Sequence, residues 1–282
     1  MGIFSGILFA SDYDRTLTDE NGRIPEANAE AIRAFIAEGG RFTVASGRSV
    51  SLLRGPMEQV PFNAPCLCFN GAACYDYATE SLLFAQMLPP EIGPEFMEAA
   101  RAFEPTLGID LQSVTTHYSV GAESTREPFL RAQGIPIVRT SVFPPLPWIK
   151  IVFITGGATE MFSQTLTPEE AERMRRMERY LLQNCGESCY VVRSMPRLLE
   201  VGAKQCNKGQ AARELARRLG CHTLVGAGDA PNDRELLLEA DLAFVPSDGE
   251  ESTRALPNVR LTAPCGEGSV AAAIAALRQS LK

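Results

Sequence analysis

The stretch ILFASDYDRTLTD, residues 7–19, places a run of apolar residues directly before two aspartates that are separated by one residue. The apolar run predicts a strand buried on both faces, as in a parallel sheet. Side chains two residues apart in an extended strand point the same way, so we expect Asp12 and Asp14 to face the same edge of that sheet. Open α/β folds bind their ligands at the carboxyl ends of their strands. An Asp-x-Asp pair on its own is more often a turn or a solvated loop, so the rest of the sequence must decide between the two.

Both ends of the chain alternate strand and helix patterns. After the first strand, the N-terminal part predicts a helix over about residues 25–38, a strand RFTVAS (41–46), a helical stretch over 49–59 and a strand CLCF (66–69). The C-terminal part predicts a helix from Asn207 to Gly220, strands TLVGAGD (223–229), LAFV (242–245) and VRLTA (259–263), a helix RELLLEA (234–240) and a closing helix through Leu277. This alternation is typical of a doubly wound, mainly parallel, Rossmann-like sheet.

The middle of the chain, residues 83–201, lacks this strict alternation. It contains the strand patterns LGIDLQS (107–113), WIKIVFITG (148–156) and CYVVRS (189–194), and a long helix pattern over about residues 167–184. The proline-rich FPPLPW (143–148) fits a rigid surface loop. We therefore predict an α/β fold in which residues 1–82 and 202–282 form one sheet domain and residues 83–201 form an inserted α+β domain.

The composition excludes several classes of protein. The 282 residues carry a formal net charge of −7, which disfavours a surface that holds nucleic acid or an anionic membrane. No apolar run is long enough to span a bilayer, and no secretory leader is expected because the first basic residue is Arg15. Eight cysteines without zinc-type spacing fit reduced thiols. Cys66 and Cys68 share one strand face and could hold a metal, but small core residues are the simpler interpretation. The sequence thus predicts a soluble, cytoplasmic protein.

A second acidic motif, GAGDAPND (226–233), follows the predicted strand TLVGAG. It would bring Asp229 and Asp233 to the same edge as Asp12 and Asp14, although glycine, proline, asparagine and aspartate are also ordinary turn residues. Carboxylates that lie close together repel each other and stay ionised only beside a cation or a hydrogen-bonding partner. Mg2+ prefers such hard oxygen ligands, so the sequence predicts a magnesium site at this edge.

Two further positions are suited to binding a phosphate. Ser46 and Gly47 follow the second strand, where a hydroxyl group and backbone N–H groups can hold phosphate oxygens. An ordinary helix cap is the alternative for Ser46. Lys208 lies in the first turn of its helix, where a cation opposes the helix dipole. A bound anion would explain its position, and a solvated lysine is the alternative.

Four segments, taken in order, carry a family resemblance. DYDRTLTD (12–19), TVASGRS (43–49), CNKGQAARELARRLG (206–220) and GAGDAPNDRELLLEAD (226–241) resemble the four motifs of the haloacid dehalogenase (HAD) superfamily. The fragment FNGAACYD (69–76), followed by a large insertion, further resembles the Cof-type phosphatases with a type IIB cap. The resemblance covers both ends of the chain densely, and it covers the middle only by size and position.

The resemblance implies a role for each matching acid. Asp12 is expected to be the nucleophile that forms an aspartyl-phosphate. Asp14 is expected to protonate the leaving oxygen and then to take a proton from the attacking water. Mg2+ would be held by the Asp12 carboxylate, the backbone carbonyl of Asp14 and Asp229, with Asp233 supporting that shell.

The resemblance also implies a set of residues around the phosphate. Ser46 and Lys208 would bind its non-bridging oxygens, and Thr16 would brace the nucleophile loop. Asn70 and the backbone of Gly71 would lie beside phosphate or substrate. The predicted phosphate and substrate site comprises Thr16, Ser46, Gly47, Asn70, Gly71 and Asn232.

The chain departs from the family pattern in two places. Arg15 stands where the family usually has a glycine; it could bind a second anionic group of the substrate, but pointing outward and pairing with an acid is the favoured interpretation. The segment 246–249 replaces a Gly-Asn-Ala stretch, which affects that loop and not the catalytic set. His117 and His222 are expected to be structural or exposed, although His117 or Tyr118 could reach substrate.

These features favour a Mg2+-dependent phosphatase that acts on a small phosphorylated metabolite, most simply a sugar phosphate. The inserted domain is expected to select the leaving group and to exclude water. Two alternatives stay open: a phosphosugar mutase of the same superfamily, and a non-catalytic protein that binds phosphorylated metabolites, for which Arg15 is the supporting feature. We expect no nucleic-acid or membrane partner, and either a monomer or a homodimer.

Overall fold

The chain folds into two compact units. The computed structural model describes residues 2–121, 126–156 and 165–281. Unit 1 consists of the two segments Met1–Ala85 and Cys206–Lys282, and unit 2 consists of Gln86–Gln205. Unit 2 is thus an insertion into unit 1, with its boundaries at 85/86 and 205/206 where the sequence suggested 82/83 and 201/202.

Strands and helices alternate through most of unit 1 and are mixed in unit 2. The strands are Ile7–Ser11 (β1), Arg41–Val44 (β2), Cys66–Cys68 (β3), Ala73–Asp76 (β4), Ser81–Ala85 (β5), Gly108–Gln112 (β6), His117–Val120 (β7), Ile137–Thr140 (β8), Lys150–Ile154 (β9), Cys189–Met195 (β10), Leu198–Ala203 (β11), Thr223–Ala227 (β12), Leu242–Pro246 (β13) and Val259–Thr262 (β14). The helices are Glu26–Ala37 (α1), Val50–Arg54 (α2), Pro56–Gln59 (α3), Pro94–Phe103 (α4), Glu127–Ala132 (α5), Pro168–Cys185 (α6), Lys208–Arg218 (α7), Arg234–Glu239 (α8), Glu251–Arg254 (α9) and Ser269–Ser280 (α10). Within the described ranges, none of these helices has both the length and the apolar character needed to cross a bilayer.

The main sheet of unit 1 is parallel throughout, with its strands in the order β14-β13-β12-β1-β2. Every residue of β1 is buried, as the apolar run predicts. β1 pairs with β12 on one side and with β2 on the other, so that Phe9 lies opposite both Val225 and Phe42. Because the three strands are parallel, their carboxyl ends meet at one edge of the sheet, and the loops that follow them lie together.

Helices cover both faces of this sheet because side chains alternate along β1. Leu8 and Ala10 pack against α7 and α8, in a cluster that includes Leu215 of α7. Phe9 points to the opposite face, where its ring centroid lies 6.0 Å from that of Phe35 in α1. The prediction of a doubly wound, mainly parallel α/β fold is confirmed.

Two elements near the N-terminus differ from the prediction. The CLCF strand belongs to a separate antiparallel sheet, β3-β4-β5, and a bridge between Ala45 and Leu67 links it to the segment after β2. The chain folds back into this hairpin at 69–71, where three successive residues have positive φ. The helical stretch expected over 49–59 is two short helices, since Gly55 and Pro56 interrupt it.

Unit 2 is built on a six-stranded sheet in the order β10-β11-β9-β6-β7-β8. Its strand pairs are antiparallel except for β7 with β8. One face packs against the long helix α6, whose Met174, Met177 and Leu181 are buried in one cluster with Ile151 and Phe153. These apolar residues therefore form the inner face of α6.

The proline-rich segment anchors unit 2 as well as forming a loop. Trp148 at its end is fully buried, and its ring centroid lies 6.3 Å from that of Phe143. The indole N–H of Trp148 donates to the carbonyl oxygen of Pro144 at 3.2 Å. The expectation of a surface loop is therefore wrong for Phe143 and Trp148, which are buried. Their aromatic rings provide much of the apolar surface that this segment can bury.

The other face of the unit 2 sheet carries buried polar side chains. The Nζ atom of Lys150 lies 2.6 Å from a carboxylate oxygen of Glu200, and the guanidinium group of Arg126 lies 3.7 Å from the carboxylate of Asp110. His117 is buried on the same face. Burial, followed by the positive charges of Arg126 and Lys150, lowers the pKa of His117 to about 4. His117 is therefore a buried, neutral histidine at neutral pH.

This depressed pKa predicts a pH dependence of stability for His117→Gln. In the unfolded chain the histidine takes up a proton near pH 6.5, whereas in the folded protein it does so near pH 4, so its contribution to stability is lost as the pH falls through that window. We expect the native free energy of unfolding to fall more steeply than that of the variant between pH 6.5 and 4, by at most about 1.4 kcal/mol per pH unit. Urea unfolding over this pH range measures both slopes. His222→Gln, at an exposed histidine, is the control, and equal slopes for native protein and His117→Gln would contradict the assignment.

Candidate active site

The first acidic motif leaves the sheet earlier than the sequence suggests. β1 ends at Ser11, Asp12 follows in an extended conformation, and residues 13–17 form a tight helical turn. Asp12 and Asp14 are therefore not alternate residues of one strand, and the strand-based reason for expecting them to share a direction is wrong. Asp12 is buried, whereas the side chain of Asp14 is 55% exposed. The two acids thus have different environments, which suits different chemical roles.

A buried lysine joins the two acidic motifs. Lys208, at the start of α7, is fully buried, and its Nζ lies 2.5 Å from Oδ1 of Asp12 and 2.6 Å from Oδ1 of Asp233. Burial alone would lower the pKa of this ammonium group, but the charges of Asp12 and Asp233 outweigh burial and hold the pKa above its ordinary value. The two carboxylates explain how a cation is tolerated in the first turn of a helix, and the alternative of a solvated lysine is wrong.

Asp233 fixes the turn that carries the second motif. Its Oδ1 accepts a hydrogen bond from Lys208, and its Oδ2 accepts from the backbone N–H groups of Asp229 at 3.0 Å and Ala230 at 3.1 Å. Gly228 lets the turn close on this carboxylate, since a Cβ atom there would lie 2.4 Å from the Cβ of Asp233. Both oxygens of Asp233 are thus used to hold the site together.

Asp229 presents one carboxylate oxygen to the site. Thr16 donates from its hydroxyl group to Oδ1 of Asp229 at 2.9 Å, so the threonine braces the second motif as well as its own loop. Among the described residues no hydrogen bond reaches Oδ2, which lies 3.9 Å from Nε of Arg15. Burial, and then the charge of Asp233, raises the pKa of Asp229 to about 6, against the opposing effects of Thr16, Lys208 and Arg15.

The buried acids have the arrangement that a hard cation needs. One carboxylate oxygen from each of Asp12, Asp229 and Asp233 lies within 4.8 Å of the other two. In both Asp12 and Asp229, a neighbouring side chain donates to Oδ1, and Oδ2 accepts no hydrogen bond from the part of the chain that is described. One or two carboxylates, completed by water and substrate oxygens, are the usual ligands of Mg2+. The donor set therefore fits the predicted ion, and the Asp14 carboxylate is engaged elsewhere.

Residues expected around a phosphate come together from neighbouring turns. Ser46 is buried after β2, where its Oγ accepts the backbone N–H of Arg48 at 3.2 Å and its carbonyl oxygen accepts the N–H of Asn70 at 2.9 Å. Asn232 donates from Nδ2 to Oδ1 of Asn70 at 3.2 Å. A backbone hydrogen bond therefore joins the turns after β2 and β3, and a hydrogen bond between two side-chain amides joins the turns after β3 and β12.

Two glycines allow these turns to approach closely. A Cβ atom at Gly47 would lie 3.0 Å from Oδ1 of Asn70. Gly71 has a φ angle of 90°, and a Cβ atom there would lie 2.5 Å from the carbonyl oxygen of Asn207, the residue that caps α7. Side chains at these positions would push apart the segments that carry Ser46 and Lys208.

Arg48 is a site residue that the sequence analysis leaves out of its predicted set. Its Nε donates to Oδ2 of Asp14 at 3.0 Å and its Nη2 donates to Oδ1 at 2.7 Å. The guanidinium group also lies over the ring of Tyr13, 4.5 Å from its centroid. A bidentate pair of this kind fixes the orientation of both groups. Arg48 is part of the motif TVASGRS, but no local sequence pattern indicates with which acid it forms an ion pair.

Arg15 lies at the edge of the acidic cluster. Its φ angle of 60° is in the left-handed region that favours glycine, which gives a physical reason for the glycine usual in the family. Its side chain is 55% exposed, and the acid with which it pairs is Asp229. In the other departing segment, Asp248 accepts hydrogen bonds from the backbone N–H of Cys265 at 2.9 Å and from its Sγ at 3.2 Å, so that loop is held by its own contacts.

The remaining candidate ligands have structural environments. Cys66 and Cys68 are fully buried, and burial raises the pKa of Cys66 to about 12 and the pKa of Cys68 well above its ordinary value. Thiols that stay protonated are poor metal ligands, which supports their interpretation as core residues. His117 and Tyr118 belong to unit 2, and His222 is exposed with its Nδ1 3.0 Å from the hydroxyl group of Thr223.

Comparisons with known proteins show which family and fold this chain resembles. The family profile described as haloacid dehalogenase-like hydrolase matches residues 9–274. An HMP-PP phosphatase of Klebsiella pneumoniae is 23% identical over 271 residues, which cover 93% of this chain and 92% of that protein. The fold is similar to that of a haloacid dehalogenase-like hydrolase from Bacteroides thetaiotaomicron, with a TM-score of 0.81, 21% identity and coverage of 96% and 98% of the two chains. It is also similar to that of a HAD subclass IIB sugar phosphatase, with a TM-score of 0.75, 18% identity and coverage of 96% and 98%.

The profile match spans almost the whole chain, from residue 9 to residue 274, a range that includes the buried acids and the lysine. The chain belongs to the haloacid dehalogenase-like hydrolases. The prediction of a phosphatase of this superfamily, of Cof type, is confirmed at the level of the family.

The buried lysine predicts a large effect of Lys208→Met on stability. The variant leaves Asp12 and Asp233 without their shared counter-charge, so we expect the free energy of unfolding to fall by about 3 to 5 kcal/mol. Urea unfolding in the presence of a chelator measures this loss without the contribution of a bound metal. Lys204→Met changes an exposed lysine and should cost less than about 0.5 kcal/mol. Equal losses in the two variants would show that the triad of charges is not what stabilises unit 1.

Proposed function

We propose that this phosphatase hydrolyses a small phosphorylated metabolite through an aspartyl-phosphate on Asp12, with Mg2+ as its cofactor. The observation that carries the proposal is the state of Asp12. Lys208 fixes one of its carboxylate oxygens, and the other has no hydrogen bond among the described residues. A carboxylate held in this way is oriented and open for attack on an incoming phosphorus atom.

The charge balance supports a divalent cation in this role. Burial, followed by the charge of Asp233, raises the pKa of Asp12 well above its ordinary value, and the charge of Lys208 only partly opposes this. A nucleophilic carboxylate must be ionised, so the site needs more positive charge than one lysine. Mg2+ held by Asp12, Asp229 and the backbone carbonyl of Asp14 would supply that charge and would offset the charge of the phosphate.

The proposed reaction has two half-reactions. In the first, an oxygen of Asp12 attacks phosphorus while the bond from phosphorus to the leaving oxygen breaks, and Asp14 gives that oxygen a proton. In the second, Asp14 takes a proton from water, the water oxygen attacks phosphorus, and the bond from phosphorus to Asp12 breaks. Inorganic phosphate leaves, and both carboxyl groups return to their starting states.

Lys208 is suited to hold a non-bridging phosphate oxygen. An ammonium group has three N–H donors, and Lys208 uses two of them on Asp12 and Asp233. The third would be available to an oxygen of the phosphate as charge builds up on it. The Ser46 hydroxyl and the backbone at Gly47, with the neighbouring polar turns, are proposed to complete the phosphate site. Those turns carry Asn70, Gly71 and Asn232.

Arg48 is proposed to position Asp14. Both oxygens of Asp14 accept from the guanidinium group, so Asp14 must leave this pair and gain a proton from solvent before it can give one to the leaving oxygen. A phosphate group competes for guanidinium through the same fork geometry as a carboxylate. Arg48 would thus hold Asp14 in position until the phosphate of the arriving substrate draws the guanidinium group toward its own oxygens and releases Asp14 for proton transfer.

A sugar phosphate is the substrate class that we propose, and unit 2 is proposed to select its leaving group. The support for the sugar is a neighbouring structure of the same fold whose protein is named a sugar phosphatase. We further propose that the enzyme works in the cytoplasm, because none of its eight cysteines, all of them among the described residues, lies in a disulfide.

Asp12→Asn tests the nucleophile. The amide cannot form the covalent intermediate, so we expect the release of inorganic phosphate from a panel of sugar phosphates to fall at least about a thousandfold. Native protein should release phosphate with Mg2+ and lose that activity in a chelator. Asp241→Asn is the matched control, because Asp241 precedes β13 at the amino edge of the sheet and should keep native rates. Native rates in Asp12→Asn would exclude Asp12 as the nucleophile, and an isomerised sugar phosphate without free phosphate would favour the mutase.

Arg48→Lys and Arg48→Gln test the positioning of Asp14. Lysine keeps the charge but loses the fork, so we expect kcat to fall about tenfold in Arg48→Lys and further in Arg48→Gln, with smaller changes in KM. Arg54→Gln, at an exposed arginine paired with Glu80, is the control. A change confined to KM would assign Arg48 to substrate binding alone.

A further inference from the structure

Arg15 is the cation nearest to the oxygen of Asp229 that is open to a ligand. The Thr16 hydroxyl group donates a hydrogen bond of 2.9 Å to Oδ1 of Asp229, so this oxygen already has a partner. The ion pair with Arg15 is made to Oδ2, at 3.9 Å from Nε. The arginine is therefore directed at the same oxygen that a metal ion would use.

The position of this cation is set by the backbone. Arg15 adopts a φ angle of 60° inside the turn 13–17, and its backbone N–H donates to the hydroxyl group of Thr18 at 3.1 Å. The turn thus holds the root of the side chain next to Asp229, while the side chain itself stays 55% exposed. A glycine at this position would suit the backbone and would leave Oδ2 of Asp229 without this cation.

We propose that Arg15 is the counter-cation of Asp229 in the metal-free protein and that it weakens the binding of Mg2+ at this site. The inference rests on the proposed function, because it concerns the metal of that site. A divalent cation on Oδ2 would face a guanidinium group of the same sign, and like charges repel. Metal binding must therefore displace Arg15 or tolerate it, and either outcome lowers the affinity of the site.

Arg15→Gln tests this inference directly. The variant removes the charge and keeps a side chain of similar reach, so we expect Mg2+ to bind about tenfold more tightly in a calorimetric titration at low salt. The difference in Mg2+ affinity between Arg15→Gln and native protein should become smaller at high salt, because the Arg15 side chain is exposed and its charge is screened. Arg15→Lys keeps the charge and should bind Mg2+ with an affinity close to that of native protein. Arg33→Gln makes the same change of net charge at an arginine that is half exposed and paired with Glu26, and it should leave the affinity unchanged.

Thermal unfolding gives a second readout that does not depend on catalysis. In a chelator, Arg15→Gln should unfold at a lower temperature than native protein, because Asp229 has lost its counter-cation. At a fixed, subsaturating concentration of Mg2+, the rise in unfolding temperature should be larger in Arg15→Gln than in native protein, because tighter binding stabilises more. If Arg15 had a purely structural role, Arg15→Gln would lower the unfolding temperature by the same amount in chelator and in Mg2+.

The outcomes separate this inference from the function on which it rests. Tighter binding of Mg2+ in Arg15→Gln, with native-like binding in Arg15→Lys and Arg33→Gln, would support it. Equal or weaker binding in Arg15→Gln, while native protein binds Mg2+, would overturn the inference and leave the proposed metal site intact. Failure of both native protein and Arg15→Gln to bind Mg2+ at millimolar concentrations would overturn the metal site together with the inference.

Discussion

Lys208 carries a positive charge into the interior of unit 1 and shares it between Asp12 and Asp233, at 2.5 and 2.6 Å. Burying one charge is costly, and the two carboxylates offset that cost only if they stay close and well oriented. The three residues come from the ends of β1 and β12 and from the start of α7, so the triad can form only when both ends of the chain share one sheet. This triad of charges therefore depends on the doubly wound fold.

The triad also decides what remains available for chemistry. Asp233 uses both of its oxygens to hold Lys208 and the following turn, so it acts as a support. Asp12 and Asp229 each use one oxygen for a neighbouring side chain and keep one for a ligand. With three buried carboxylates and one buried ammonium group, the cluster has a deficit of positive charge, and this deficit is why burial can raise the pKa of both Asp12 and Asp229.

The sequence predicts those features of this site that depend on short stretches of neighbouring residues. The apolar run of β1, the two acidic motifs that end strands, and the alternation of strands and helices indicate the parallel sheet and its functional edge. The partners of Lys208, Arg48 and Arg15 could not be predicted in this way, since each ion pair joins residues far apart in the chain and depends on the exact path of a turn. The shared direction expected for the two first-motif acids failed for the same reason, because the chain leaves β1 at Ser11 and turns at once.

The two arginines of the site are partly exposed to solvent where they pair with acids, whereas the lysine is fully buried. Arg15 pairs with Asp229 and Arg48 pairs with Asp14, and both guanidinium groups approach from the more exposed side of the site. Lys208 approaches from the interior and is fully buried, so its contacts are part of the fold. Under the proposed function, a metal ion or a phosphate that enters from solvent would compete with an arginine already in place, whereas it would add to the contacts of the lysine. The two arginines would thus offset part of the negative charge of the acids before any ligand binds, and they would be the part of the site that adjusts ligand affinity.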